Sequence, residues 1–474
     1  MRELKMLTRT NRFEKAWAFF ALMLVVASVL FIRLFCAFTF PIPWSDESDF
    51  IAPAFELSRN GTLFVSGMNP DRVVMWMPPG YMLLLGGVFK AFGYSFDLAR
   101  WTSALIFIAA YGVNLVIVLR NLRGAALIVA LAASLIAFLS PYSLAIANIA
   151  RMEAFYTSTL LLALAVTIFG RPWVGFALVL VTGLIHFNAV YFVIPFFAHF
   201  VDQWLRYRSI KIDRVDIVAL FFAAFLLFAY AVYVIINWHG FVDDMRFQFG
   251  FKSMTPAFFG TKGKIIAALV YVIVVLQWVM LRRFTSSVFV AGFGAGFVLL
   301  YLYGKNMWYA YAECLGFYLL FVGGVMALNE MAVRWRRLII SAMVVLSAAS
   351  LIYFSIFRIT PQFAPLWLRS ELIGRDFVAS AELDKVSRFI KSAAPGARFC
   401  FGHSGMEPFF FQQLADAKQT WLYIGHSVTQ LQPLRRVDYR VRCDSELLPE
   451  YILMFDVDGF PHQRKDVGCD IFAL

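Results

Sequence analysis

Apolar runs of membrane-spanning length recur along the first three-quarters of the chain, separated by short polar segments rich in Lys and Arg. Runs near 17–38, 98–119, 124–140, 153–169, 173–186, 187–202, 216–237, 265–281, 285–303, 309–328 and 338–357 predict about eleven transmembrane helices. The first run is too long for the apolar stretch of a signal peptide and lacks a small-x-small cleavage site, so it is expected to remain as an anchor. A shorter apolar run within "WMPPGYMLLLGGVFKAFGYS" (76–95), opened by Pro78-Pro79 and followed by Gly93, predicts a helix lying on the bilayer surface rather than crossing it. From 358 onward the pattern changes to mixed charge. There "ARFCF" and "EYILMF" read as strands and "DKVSRFIKSA" as an amphipathic helix. The expected organisation is a transmembrane domain over 1–357, with a first extracytoplasmic loop at 41–97, and a small extracytoplasmic α/β domain over 358–474.

Composition sharpens this picture. At 61% hydrophobic over 474 residues, the chain is a polytopic α-helical membrane protein, and its net charge of +12 does not point to nucleic acid. The positive residues gather in the short loops: Arg120/Arg123, Arg171, Arg206/Arg208/Lys211/Arg214, Arg282/Arg283 and Arg334/Arg336/Arg337. With the predicted spans, all fall on the side of the N-terminus, which carries Arg2, Lys5, Arg9, Arg12 and Lys15. The positive-inside rule makes that side cytoplasmic. An odd number of spans then places the C-terminus outside the cytoplasm, together with the loop at 41–97, a loop at 238–264 and the region of Tyr301 to Tyr311. Cys400, Cys443 and Cys469 show no paired C-x-x-C spacing, so no zinc site is expected. A Cys443–Cys469 disulfide fits an extracytoplasmic domain, but three cysteines leave the pairing open.

Ionisable groups at or just inside a membrane are costly, so those at the outer ends of spans are the candidates for function. They are Asp46, Glu47, Arg100, Arg151, Glu153 and His186, from four separate stretches that the topology brings to one face. Each also has a plainer reading. Asp46, Glu47 and Asp49 suit the positive end of a helix, Arg100 and Arg151 can snorkel, Glu153 can pair locally with Arg151, and His186 can be a packing residue. Pro53 predicts that the helix after Asp46 starts late or kinks, leaving the carboxylates in a turn. Adjacent residues diverge on a helix, so of Asp46 and Glu47 one would be a base and the other a supporting group. In "YLYGKNMWYAYAE" (301–313), Lys305 is a candidate phosphate contact and Tyr309 a candidate substrate contact beside an interfacial aromatic belt. No P-loop, G-x-S-x-G, H-E-x-x-H or EF-hand pattern is present.

One span, then Asp46-Glu47 followed by "AFELSRNG" (54–61) and "MPPGYMLLLGGVFKAFGYSFDLARWTSAL" (77–105), resembles the GT-C superfamily of polyprenyl-phosphate-sugar glycosyltransferases. The aminoarabinose transferase and protein O-mannosyltransferase branches are the most similar in feature order. The resemblance covers roughly the first 200 residues, and the later spans match only in architecture. It implies that Asp46 is the catalytic base with Glu47 beside it, that Arg100 matches the arginine before the second span, and that Glu153 matches the acidic residue opening a later one. His186 stands where many relatives carry Lys or Arg. The family's proline-containing helix after the late aromatic loop is missing, with Glu313 and Cys314 in that region.

What the resemblance implies is an inverting hexosyl- or pentosyltransferase of a bacterial inner membrane. It would use a polyprenyl-phosphate sugar as co-substrate, an envelope lipid, glycan or protein as acceptor, and neither cofactor nor metal. The residues agree independently, since an acceptor hydroxyl needs a carboxylate to take its proton and a lipid-phosphate leaving group needs positive charge or hydrogen-bond donors. The alternative is a lipid or sugar transporter or flippase, which predicts mid-span charges and interrupted helices in corresponding halves.

Overall fold

The structure is a computed structural model, which describes residues 12–36, 45–65, 72–122, 141–168, 171–193, 212–254, 380–393, 398–401, 407–418, 420–422, 451–455 and 469–473, with scattered helical positions between 127 and 139 and between 196 and 204. The predicted spans from 265 to 357, Lys305, Tyr309, Cys314 and Cys443 lie outside the described residues. Three described helices are long and apolar enough to cross a membrane: Lys15–Phe35, Phe96–Arg120 and Arg214–Ile236.

Helix α1 (Arg12–Phe31) ends in a π-helical turn over Ile32–Cys36. Its buried positions Ala18, Ala21, Val25, Val29 and Ile32 recur every three or four residues and form one stripe, while Trp17, Phe19 and Phe20 are exposed. That stripe packs on α4 (Phe96–Asn121), and α4 packs on α6 (Met152–Ile168) behind the short α5 (Pro141–Ala147). Ser95 caps α4, accepting the Leu98 N–H at 2.9 Å. Helix α7 (Pro172–Thr182) lies between α6 and α8 (Arg214–Ile236). An Arg171–Asp213 ion pair of 3.0 Å sets the first turns of α7 and α8 at the same end. Helix α8 buries little beyond Ala223 and Asp216, and it exposes Phe221, Phe222, Phe225, Phe228, Ile235 and Ile236. Such an outward apolar face suits hydrocarbon as its solvent.

The first loop contains two helices. Helix α2 (Ser45–Asn60) runs from Ser45 straight through Pro53, so Asp46 and Glu47 occupy its first turn rather than a preceding turn. This corrects the expectation drawn from Pro53. The proline removes only its own N–H bond to the Asp49 carbonyl, and packing of Phe50, Ile51, Ala54 and Phe55 in the core outweighs that loss. Helix α3 (Gly80–Phe92) is 13 residues long, too short to cross, and packs along α2. The Gly80 N–H donates to the Leu184 carbonyl at 2.8 Å, and a Cβ on residue 80 would lie 2.5 Å from that oxygen. Only glycine permits this approach, which ties the first loop to the turn after α7.

Residues 238–254, expected as loop, form helix α9 (Trp238–Met254). Gly240 and the Asp243-Asp244 pair resemble a turn in sequence, but both Gly240 and Asp244 are buried against the segment before α3. The expected span at 187–202 opens with a 3-10 turn, Phe187–Phe192.

Toward the C-terminus the described elements are α10 (Ser380–Ser392), β1 (Arg398–Phe401), a 3-10 turn (Glu407–Phe409), α11 (Phe411–Asp416), β2 (Thr420–Leu422), β3 (Tyr451–Phe455) and β4 (Cys469–Ala473). The strands form one sheet in the order β2-β1-β3-β4. Strand β1 runs parallel to β2 and β3, and β3 pairs antiparallel with β4, Phe455 facing Cys469.

Candidate active site

The first turn of α2 enters the protein with Glu47 fully buried. A bare carboxylate could not remain there, and Arg100, one turn into α4, meets it with a two-pronged pair. Nε donates to Oε1 at 2.8 Å and a terminal nitrogen donates to Oε2 at 2.6 Å, with both side chains at 0% exposure. Oε1 also accepts the Ala150 N–H at 2.7 Å. Three stretches far apart in sequence are thereby joined at one carboxylate. The Phe96 ring lies 5.0 Å from the Arg100 guanidinium carbon, so the cation rests on an aromatic face as well.

The segment from 148 to 151, between α5 and α6, is the hub of the site. The Asn148 carbonyl accepts from Arg33 at 3.2 Å, Ala150 donates to Glu47, and Arg151 pairs with Glu153. Arg33, in the π-helical turn of α1, also donates to Asp97 at 3.2 Å and is buried. In the Arg151–Glu153 pair, Nε lies 3.1 Å from Oε2 and a terminal nitrogen 2.7 Å from Oε1, and both residues are buried. Phe50 of α2 lies 5.9 Å from the Arg151 guanidinium and packs on Trp76 and Tyr81, with ring centroids 5.2 and 5.8 Å away.

His186 follows α7 and is buried, its ring 5.0 Å from that of Tyr156 on α6. Its Nδ1 accepts the Asn188 N–H at 3.0 Å and so caps the 3-10 turn. Tyr81 shares a hydrogen bond of 2.8 Å with Ser103. Burial first, then the nearby charges of Glu47 and Glu153, keep the Tyr81 phenol protonated against the opposing Ser103 bond.

The structure thus brings together Glu47, Arg100, Arg151 and Glu153, with His186 one aromatic contact from α6. Asp46 lies in the first turn of α2 next to Glu47, and its side chain falls outside the described residues. Sequence reasoning passed over Arg33, Asp97, Tyr81 and Ser103. The signal for Arg33 was present, since it is a cation within an apolar run.

Two further elements close on this region. From α9, Asp244 accepts the Met75 N–H at 2.8 Å and pairs with Arg72 at 3.0 Å. Burial pushes the Asp244 carboxyl above the usual carboxylate range, against the lowering effects of Met75 and Arg72. Near the C-terminus, Phe409 meets Phe96 edge-on at 4.8 Å, Phe411 stacks on Phe55 at 5.8 Å, and the Tyr94 hydroxyl donates to the Pro408 carbonyl. Phe411 belongs to the same core as α2, α3 and α4. Among the described residues no group of three or more His, Cys, Asp or Glu comes together as a metal site would require.

Two solved structures share this architecture: ArnT from Cupriavidus metallidurans in the apo state, with a TM-score of 0.56 and 13% identity, and ArnT bound to undecaprenyl phosphate, with a TM-score of 0.57 and 14% identity. Each comparison covers 92% of this chain and 92% of the other. No family model and no curated protein matches the sequence. The helices of this membrane protein therefore share the fold of ArnT, in keeping with the resemblance in the first loop.

Proposed function

We propose that the chain is an inverting glycosyltransferase that moves a monosaccharide from a polyprenyl-phosphate donor to a hydroxyl of an envelope lipid, glycan or protein, on the extracytoplasmic face of a bacterial inner membrane. The observation that carries this reading is the buried Glu47–Arg100–Ala150 junction. It joins the first turn of α2, the turn that carries Asp46 in sequence, to the segment leading into α6 where Arg151 and Glu153 pair, in a fold shared with a protein whose solved structure holds undecaprenyl phosphate.

In this scheme Asp46 takes the acceptor proton as the acceptor oxygen bonds to the anomeric carbon. The bond from that carbon to the phosphate oxygen breaks, and polyprenyl phosphate leaves. Attack opposite the leaving group inverts the anomeric centre, by the logic stated for single-displacement hydrolysis. Glu47 is the supporting member of the pair, because both its oxygens are taken by protein donors. Arg100 acts through Glu47. Arg151 and His186, with Lys305 and Tyr309, form the donor side, where positive charge and hydrogen-bond donors stabilise the leaving phosphate, and Glu153 holds Arg151 in place. No step calls for a metal or a cofactor.

The test compares envelope glycoconjugate masses in cells lacking the protein, complemented with wild type or Asp46→Asn at matched expression. A hexose- or pentose-sized addition restored only by wild type is expected and identifies sugar and acceptor together. Equal restoration by both would remove Asp46 as the base.

A further inference from the structure

Arg33 is a cation in the last turn of an apolar span, Lys15–Phe35, and an arginine there ordinarily extends its head toward water. This one turns inward. Its side chain is at 0% exposure, although the carboxylate it pairs with, Asp97, is at 48%. Docking of α1 on α4 does not call for a buried cation, because the stripe of Val25 and Val29 already supplies that contact. The turn that carries Arg33, Ile32–Cys36, is π-helical, a register that recurs at functional sites. What the side chain reaches is a backbone oxygen, the Asn148 carbonyl at 3.2 Å, with the Trp101 ring centroid 6.0 Å from its guanidinium carbon.

Glu47 makes the opposite-charge version of the same arrangement. Arg33 meets Asp97 on α4 and a carbonyl of the turn before α6, whereas Glu47 meets Arg100, one turn further along α4, and an N–H of that same turn. The Asn148 carbonyl and the Ala150 N–H belong to successive planar peptide groups, so only the φ and ψ of the buried Ile149 lie between them. A cation on the negative pole of one group and an anion on the positive pole of the next are both charge-assisted bonds, and together they fix the path of the chain through Ile149. Arg151 comes next, and α6 starts at Met152. The backbone that carries Arg151 is thus held by two pins on one side and by a helix on the other.

We propose that Arg33 is a positioning residue for Arg151. By holding the Asn148 carbonyl it sets the direction in which the chain presents the Arg151 guanidinium to the donor's phosphate, while Glu153 holds the side chain itself. Arg33 touches no substrate in this scheme and acts only through the 148–151 turn. The assignment rests on the reading of Arg151 as a phosphate contact of a polyprenyl-phosphate-dependent transferase. An arginine is sensitive to such aim because its donors form a rigid planar fork. The consequence is that removing Arg33 weakens phosphate binding only while Arg151 is present.

The experiment measures the affinity of the full-length protein in lipid nanodiscs for undecaprenyl phosphate, as a double-mutant cycle. Arg33→Gln should weaken binding several-fold, and Arg33→Lys should weaken it less, because a cation still faces the carbonyl. Arg151→Gln should weaken it most, leaving the residual affinity of the prenyl chain. In the Arg151→Gln background, Arg33→Gln should cause no further loss, because the residue it acts through is gone. Val29→Ala, a cavity on the buried stripe of α1, should lower thermal melting without changing affinity, which separates general loosening from lost aim. If Arg33→Gln does not fold, Arg33→Lys serves in the same cycle. Wild-type affinity in both Arg33 variants or in Arg151→Gln, losses that add in full, or an equal loss in Val29→Ala each overturns the positioning role and leaves the transferase reading in place. Absence of undecaprenyl phosphate binding by wild type overturns both.

Discussion

Two clamps in this protein use the same donor set and differ in how dry they are. At the first, Glu47 receives Arg100 and the Ala150 N–H; at the second, Asp244 receives Arg72 and the Met75 N–H. Each draws a distant helix to a loop or turn with one carboxylate. Both side chains of the first pair are at 0% exposure, whereas in the second the Asp244 side chain is at 0% and the Arg72 side chain keeps 19% exposure. The difference teaches that the cost of breaking a clamp follows its burial rather than its chemistry. A charge stranded in a dry site has no water to turn to, while the Arg72 guanidinium, left behind when the Asp244 charge is removed, keeps some.

The largest effect should come from breaking the dry clamp on one side only. Arg100→Met leaves Glu47 charged and buried, and a loss of about 3–5 kcal/mol is expected, read as a fall in thermal melting in detergent. The double variant Glu47→Gln/Arg100→Met should recover part of that loss. Full additivity of the two single losses would show that the residues do not act as a unit. At the wet clamp, Asp244→Asn should cost less, about 1–3 kcal/mol, because it removes the charge but keeps an acceptor for Met75.

The wet clamp should also carry a pH signature. Since burial holds the Asp244 carboxyl above its ordinary value, the folded protein holds that proton more firmly than the unfolded chain. Its stabilising contribution is complete below the unfolded value of about 3.9 and is lost as pH rises through the raised folded value. Asp244→Asn should flatten the melting profile across that window, and an unchanged slope would assign it to another group. Smaller again is Phe409→Ala, which removes the edge-on contact beneath the dry clamp and should cost about 1 kcal/mol. A drop as large as that of Arg100→Met would show that the aromatic support matters as much as the ion pair. Arg171→Gln, at an exposed pair, should leave melting unchanged.

Much of the first clamp was legible in the sequence as a set of residues, and none of it as a set of partners. Glu47, Arg100, Arg151 and Glu153 stood out because charge near apolar runs is costly. Only the Arg151–Glu153 pairing could be anticipated, since it is local. That Glu47 would meet Arg100 and the Ala150 backbone depends on how α2, α4 and the turn before α6 dock, which residue spacing does not encode. Helix α9 was misread as loop for a related reason. Gly240 and Asp244 look like turn residues until the segment of Arg72 and Met75 is packed against them. The membrane architecture was the clearest reading, because hydrophobic length is a direct imprint of bilayer thickness. The docking of Phe409 and Phe411 on the first loop left no sequence signal, as aromatic residues are common throughout this chain.

That docking also orders events during synthesis. Phe96 and Phe55 emerge early, and the rings that cover them, Phe409 and Phe411, follow roughly 310 and 360 residues later. At translation rates of about 5–20 residues per second, the aromatic ledge beside Arg100 stays uncovered for roughly 15–70 s. During that interval Phe55 and Phe96 lack the rings that cover them in the finished fold. Until then the first loop has to hold its aromatic face by the contacts of α2, α3 and α4 alone.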